Sequence, residues 1–251
     1  MNTIKDLLHL STGVTLDDSE YEKAKEAITK MCDITSHLLC RSIYVVDYIR
    51  QKFLYVSPHP LFLCGYELED VKAMGYSFLE KILPPEDFPT FLETFKAHWQ
   101  FVCNTKPEDR ELLRLSYDIY LRHKNGNTIL VNKKIAPLFF TKEGYPWIGI
   151  AFVDYAAHKH AGYHSVLQNR TQHVTYNRKK GKFVQYTPPK LTPREEQVLR
   201  LYTQGYDEKE ISVMMGIGVL TVRTHRNNIR KKMNAHSLPQ AIGMFYTNLK
   251  E

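Results

Sequence analysis

The sequence predicts an α+β amino-terminal domain, an antiparallel sheet with helices, followed by an all-α domain of four helices. Two observations carry this. Between residues 41 and 156, runs of β-branched and aromatic residues are broken by turn signals and short helical pieces, and between 191 and 251 four helical periods follow one another with capping residues. A third observation concerns charge. The chain carries a net +7, distributed as −3 over residues 1–156, +7 over 157–190 and +3 over 191–251, so a polyanionic partner belongs to the rear of the chain.

The 251 residues, 43% hydrophobic and 24% charged, suit a soluble protein of about two domains. No stretch approaches the roughly 18 apolar residues of a membrane span, and "MNTIKDLLHL" lacks the plan of a secretion signal. A cytoplasmic protein without membrane contact is expected. Cys32, Cys40, Cys64 and Cys103 follow no metal-ligand spacing and are expected to be reduced packing residues, with no zinc or other metal site.

Residues 1–40 are assigned to amino-terminal helices. Within them "SEYEKAKEAITKMCDITSHLLC" is amphipathic, with Ala24, Ala27, Ile28, Met31, Ile34, Leu38 and Leu39 on the expected apolar side. "SIYVVDY" and "KFLYVS" flank Ile49 to Gln51 as a hairpin. "LSYDIYLRHKNGNTILVNKKIAPLFF" and "WIGIAFVDY" supply three more strands, with turns at Asn125-Gly126 and Glu143-Gly144. "ELEDVKAMG" and "EDFPTFLETFKAHWQFV" supply helices between the two groups.

Residues 157–190 hold seven cations, four histidines and no acid. A solvated basic linker is expected, with a hairpin around Lys180-Gly181. His158, His160, His164 and His173 lack tight metal spacing.

In residues 191–251, "LTPREEQVLRLYTQG" opens with Thr192 as N-cap, Pro193 at the first helical position and Glu195 at capping-box spacing. Asp207 caps a second helix that ends at Gly216. The third, "TVRTHRNNIRKKM", has five cations in thirteen residues and no acid. At about 100° per residue, Val222, Ile229 and Met233 fall on one side and Thr224, Asn227 and Lys231 opposite, flanked by Arg223, Asn228 and Arg230. Arg and Asn can pair bidentately with guanine and adenine edges, and Lys can neutralise phosphate. Against this stands an ordinary surface helix whose basic residues answer its own dipole.

The stretch from Leu191 to about Phe245 closely resembles the DNA-binding domain of LuxR/NarL-type transcription regulators: Leu-Thr-Pro-Arg-Glu, the glycine after the first helix, Lys-Glu-Ile in the second, and Thr-Val-x-x-His with a later Lys-Met in the third. The resemblance implies a tetrahelical helix-turn-helix domain binding double-stranded DNA as a homodimer, with RNA polymerase as a further partner. It implies base reading by Arg223, Thr224 and Asn227, which Lys231 joins on the same face. Thr192, Lys209, Thr221, His225, Arg230 and Lys232 are expected to touch the DNA backbone or support the helix. Gly218 stands where the family usually has a capping serine, at a cost of a few tenths of a kcal/mol.

"LFLCGYELEDV", "ILPPEDFPTFLETF", "LRHKNGNTILVNKKIAPLF" and "IAFVDY", in that order, resemble a PAS domain over residues 41–156. That implies a sensory or dimerising module with a small internal cavity. The cysteine motif of flavin-binding light sensors is missing, and Cys64 is read as core. His98, Trp99, Phe101 and Tyr120 are candidates to line a ligand pocket, with core packing as the competing reading; no cofactor is expected, and the cavity leaves room for an unknown small ligand. There is no phosphate loop, nucleophile elbow or His-Glu-x-x-His, so no enzyme is expected. The expected function is a sequence-specific transcription regulator. The alternative is a protein-interaction adaptor with weak DNA affinity.

Overall fold

The computed structural model describes residues 18–110, 112–156, 160–162, 164–168, 172–186, 190–233, 235 and 237–248. Residues 1–17 of the expected amino-terminal helices, and His158 of the histidine group, lie outside them. The chain divides into two compact units, with His160–Gln185 joining the amino-terminal one and Tyr186 onward forming the other. No described helix is long and apolar enough to cross a membrane.

The amino-terminal unit starts with α1 (Asp18–Leu39), followed by the hairpin β1 (Ser42–Asp47) and β2 (Lys52–Val56). Four helices come next, α2 (Pro60–Leu63), α3 (Leu68–Met74), α4 (Phe78–Ile82) and α5 (Phe88–Asn104), and then β3 (Arg114–Arg122), β4 (Thr128–Phe140) and β5 (Pro146–Tyr155). This is the expected order of two strands, helices and three strands. The sheet runs β2-β1-β5-β4-β3, antiparallel throughout. Both predicted turns carry a positive-φ glycine, Gly126 and Gly144.

Alternation in "SIYVVD" buries β1 on both faces. Tyr44 and Val46 enter the main core with Phe62, Phe78, Leu79 and Trp99, whereas Ile43 and Val45 pack with Ile28 and Cys32 of α1 on the opposite face. The face that α1 buries agrees with the expected one only at Ile28: Tyr21, Cys32 and Ser36 turn inward beside it, while Ala27, Met31, Ile34, Leu38 and Leu39 are exposed. Two stripes run along this helix, and the smaller, more polar one fits against the sheet. Tyr55 of β2 donates its hydroxyl to Asp33 there, and Tyr21 stacks on Trp147. All four cysteines are free, but only Cys32 and Cys64 are buried; Cys40 is exposed, contrary to the packing role expected of it.

The basic segment is also not the expected solvated linker. It forms β6 (His164–Gln168), β7 (Gln172–Asn177) and β8 (Lys182–Gln185), which extend the same sheet beyond β3 in the order β3-β6-β7-β8. Val166 is fully buried, and Val174 and Phe183 pack on the main core. The apolar residues of these strands are few but alternate, which suffices for strands with one covered face. The hairpin at Lys180-Gly181 is present, turned by Gly181 in the left-handed region.

In the carboxyl-terminal unit, α6 (Pro193–Thr203), α7 (Glu208–Met215), α8 (Val219–Lys232) and α9 (Leu238–Asn248) are the four expected helices. Both capping boxes form, Thr192 with Glu195 and Asp207 with Glu210. Val198, Leu199, Ile211, Met215, Val222, Ile229, Met233 and Ala241 make one core.

Gly75 closes α3 at φ 58°, ψ −145°, and a Cβ there would stand 2.7 Å from the Gln51 carbonyl oxygen. Gly126 shares a positive φ but has open space. Gly75→Ala is expected to destabilise the amino-terminal unit by roughly 3 kcal/mol or more, and Gly126→Ala by about 1 kcal/mol. Urea unfolding followed by Trp fluorescence measures both, and similar costs would contradict the clash.

Candidate nucleic-acid interface and interior cavity

The third helix of the carboxyl-terminal unit divides its faces by burial. Val222 and Ile229 are fully buried and Met233 nearly so, packed in the core that α6 and α7 supply. Arg223, Thr224, Asn227, Asn228 and Lys231 are exposed. Leu220, 74% exposed, continues the Thr224, Asn227 and Lys231 stripe by one turn. The helix begins at Gly218, which offers no side-chain cap; Thr221 N and Val222 N both donate to the Gly218 carbonyl.

Of the residues expected to support the helix, several have internal partners. The Thr192 hydroxyl accepts from Glu195 N at 3.3 Å, within its capping box. Lys232 Nζ donates to Glu195 Oε2 at 2.7 Å, tying the end of α8 to the start of α6. Burial works to raise the Glu195 pKa, but hydrogen bonds from Lys232 and Thr192 outweigh it and hold the carboxyl below its usual value. Thr221 and Lys209 are exposed, and His225 and Arg230 are half-buried.

Glu208 is the residue the sequence reading missed. It lies at the first turn of α7, and its carboxylate accepts from Arg223 Nη2 at 2.9 Å and from Arg226 Nη1. Arg226 is thus held in the same ion-pair cluster. The Arg223 hydrogen bond, the largest cause, lowers the Glu208 pKa. Fifteen positions separate Glu208 from Arg223, and no periodicity links them.

The amino-terminal unit contains a cavity of about 40 Å³ lined by Tyr48, Phe91, Phe95, His98, Trp99 and Tyr117 among others. Two of the four expected pocket residues, His98 and Trp99, line it. Phe101 instead packs on Phe183 at 5.0 Å, and Tyr120 lines a separate cavity of about 30 Å³. His98 is 6% exposed; its Nδ1 lies 2.8 Å from Thr94 O, and its ring stands 5.4 Å from that of His164. Burial pushes His98 down to about 4 and His164 to about 3, so both rings are neutral at physiological pH. Among the described residues no group of three or more His, Cys, Asp or Glu could hold a metal ion.

Four short helices with a cationic, outward-facing third helix define a helix-turn-helix unit. Residues 189–245 match the family of bacterial regulatory proteins of the luxR family (GerE), so the carboxyl-terminal unit is a helix-turn-helix domain of that family. Nodulation protein W of Bradyrhizobium diazoefficiens is 37% identical over 57 residues, 23% of this chain and 25% of that one. The tetrathionate response regulatory protein TtrR of Salmonella typhimurium is 40% identical over 55 residues, 22% and 27% of the two chains. The matched region thus spans about a quarter of these curated relatives. Among solved structures, a Vibrio cholerae VqmA dimer is 21% identical, covering 83% of this chain and 82% of its own at a TM-score of 0.31. A light-oxygen-voltage domain studied with a flavin analogue is 19% identical, covering 49% and 82% at 0.37.

Glu195, Asp207 and Glu208 all have lowered pKa values. For acids depressed on folding, the stabilisation is complete above the unfolded-state pKa, near 4, and is lost as pH falls through the folded value. The carboxyl-terminal helices should therefore lose stability below about pH 4. Glu195→Gln with Glu208→Gln should flatten that acid limb, read by circular dichroism melts from pH 6 to pH 2; an unchanged limb would place the titrating groups elsewhere.

Proposed function

We propose that the chain is a cytoplasmic, homodimeric, sequence-specific transcription regulator that binds double-stranded DNA, engages RNA polymerase at promoters and takes its signal through the PAS-like unit. Arg223, Thr224, Asn227 and Lys231 read base edges in the major groove. Thr221, Lys209 and Arg230 serve the DNA backbone, while Thr192, His225 and Lys232 hold the helix in place. The observation that carries the reading is the division of α8, where burial of Val222, Ile229 and Met233 turns the groove-reading side chains outward together. Arg178, Lys179, Lys180 and Lys182 at the exposed β7–β8 turn add salt-sensitive affinity for any duplex.

The amino-terminal cavity is the receiving element, and no resident cofactor is required for it. The adaptor alternative draws on one observation, that Glu208 engages two of the five cations of α8. An adaptor would not bind a duplex by itself.

Selection of bound sequences from a random duplex pool supplies the cognate site. At that site Arg223→Ala should cost roughly 1–3 kcal/mol and relax the preference at one base pair, whereas Lys182→Ala should weaken all duplexes alike and flatten the salt slope. Fluorescence anisotropy against cognate and scrambled duplexes measures both. Equal effects of the two variants on every sequence would remove direct readout by α8.

A further inference from the structure

Lys133 is fully buried in the amino-terminal unit, and its Nζ has no hydrogen-bond partner. It belongs to the inward-facing set of β4, with Val131 and Ile135, and pairs in register with Tyr117 of β3. The ammonium stands 5.2 Å from the Tyr44 ring centroid and 5.5 Å from that of Tyr117. The hydroxyls of Tyr44 and Tyr117, and that of Tyr76, which is near enough to both to interact electrostatically, are likewise buried without a partner. Cys64, the other titratable neighbour, donates its thiol to Leu61 O. The cluster is therefore rich in donors, and no carboxylate among the described residues is placed to answer it. Asp118, next along β3, is engaged by Asn132 instead.

A buried ammonium without a counter-ion is costly, and two aromatic faces offset only part of that cost. Burial lowers the Lys133 pKa from the usual lysine range to about 7. Tyr117 belongs to both features, since its ring also lines the cavity beside Tyr48 and Trp99. An acceptor with a negative charge and a short apolar tail would answer the donors and fill the cavity together. A cavity of about 40 Å³ takes the volume of only a few water-sized atoms, which limits the tail to roughly three or four heavy atoms.

We propose that this interior is the receptor site for a short-chain monocarboxylate, whose carboxylate is held by Lys133 and the hydroxyls of Tyr44, Tyr76 and Tyr117 and whose tail fills the adjacent cavity. The proposal rests on the reading of the cavity as the signal-receiving element and names its ligand class.

The test uses the full chain without DNA, titrated with acetate, propionate and butyrate against the corresponding amides, with sodium chloride at matched ionic strength. Calorimetry and thermal unfolding read the binding. At least one carboxylate should bind and raise Tm by several degrees, with its amide and chloride inert. Lys133→Met should raise the Tm of the ligand-free protein, because it removes the buried charge, and abolish the carboxylate response. If that variant does not fold, Tyr117→Phe keeps the ring, removes one donor and should weaken the bound carboxylate several-fold. Binding of the amides but not the acids would overturn the anionic class and leave the cavity as a receptor; binding of nothing in the panel would remove both. An unchanged response in Lys133→Met or Tyr117→Phe would also overturn the proposal. DNA binding is measured separately and stands or falls apart from these results.

Discussion

The candidate interface depends on one constraint, that a fourteen-residue helix and its C-cap must bury Val222, Ile229 and Met233 in a core no larger than four short helices can provide. Seven and four residues separate these positions, which keeps them on one side of a 3.6-residue period, and the remaining side chains have no choice of direction. The cradle receiving them is held by its ends. The capping boxes at Thr192 and Asp207 start α6 and α7, and Lys232 joins α8 back to the first turn of α6 through Glu195. Deep burial sets the orientation, and polar contacts at the helix ends set the register.

The amino-terminal unit solves a different problem. Strand β1, between β2 and β5, is buried on both faces, which gives one sheet two apolar layers, α1 on one side and α2 to α5 on the other. The helical layer does not fill its side completely. Bulky rings meeting edge to face, such as Tyr48 with Trp99 at 5.4 Å, leave a small space beside the sheet. Extension of that sheet through β6 to β8 brings His164 against His98 and Phe183 against Phe101, so the segment after β5 is part of the same core.

Much of this could be read from the residues, and the misses share a cause. Caps, glycine turns and the wheel of the third helix are local, and the structure follows them to the residue at Thr192, Asp207 and Gly218. Local pattern could not choose between the two stripes of α1, because the choice is made by the sheet it meets. Strand β6 and the joining of the β7–β8 hairpin to the sheet were hidden by charge: alternation in "HVTYNRKKGKFVQ" was visible, but seven cations over residues 157–190 argued for a solvated linker. Lys133 was within reach, since Val131, Lys133 and Ile135 have the spacing of one strand face. Glu208 was not, because it meets Arg223 only through the turn between α7 and α8.

The Glu208 pair does not close the interface. Arg223 is about half exposed there, and an ion pair of that kind is worth about 0–1 kcal/mol in water. In the proposed reading, a bidentate contact from the same guanidinium to a base edge contributes roughly 1–3 kcal/mol of discrimination, more than the ion pair it would replace. What the carboxylate supplies before the exchange is order. It keeps a long side chain from sampling its full rotamer freedom, which for arginine amounts to about 2 kcal/mol, and it holds Arg226 at the same point. The pair thus offsets some of the positive charge that would attract any duplex and, in the proposed reading of α8, leaves Arg223 placed to exchange Glu208 for a base edge.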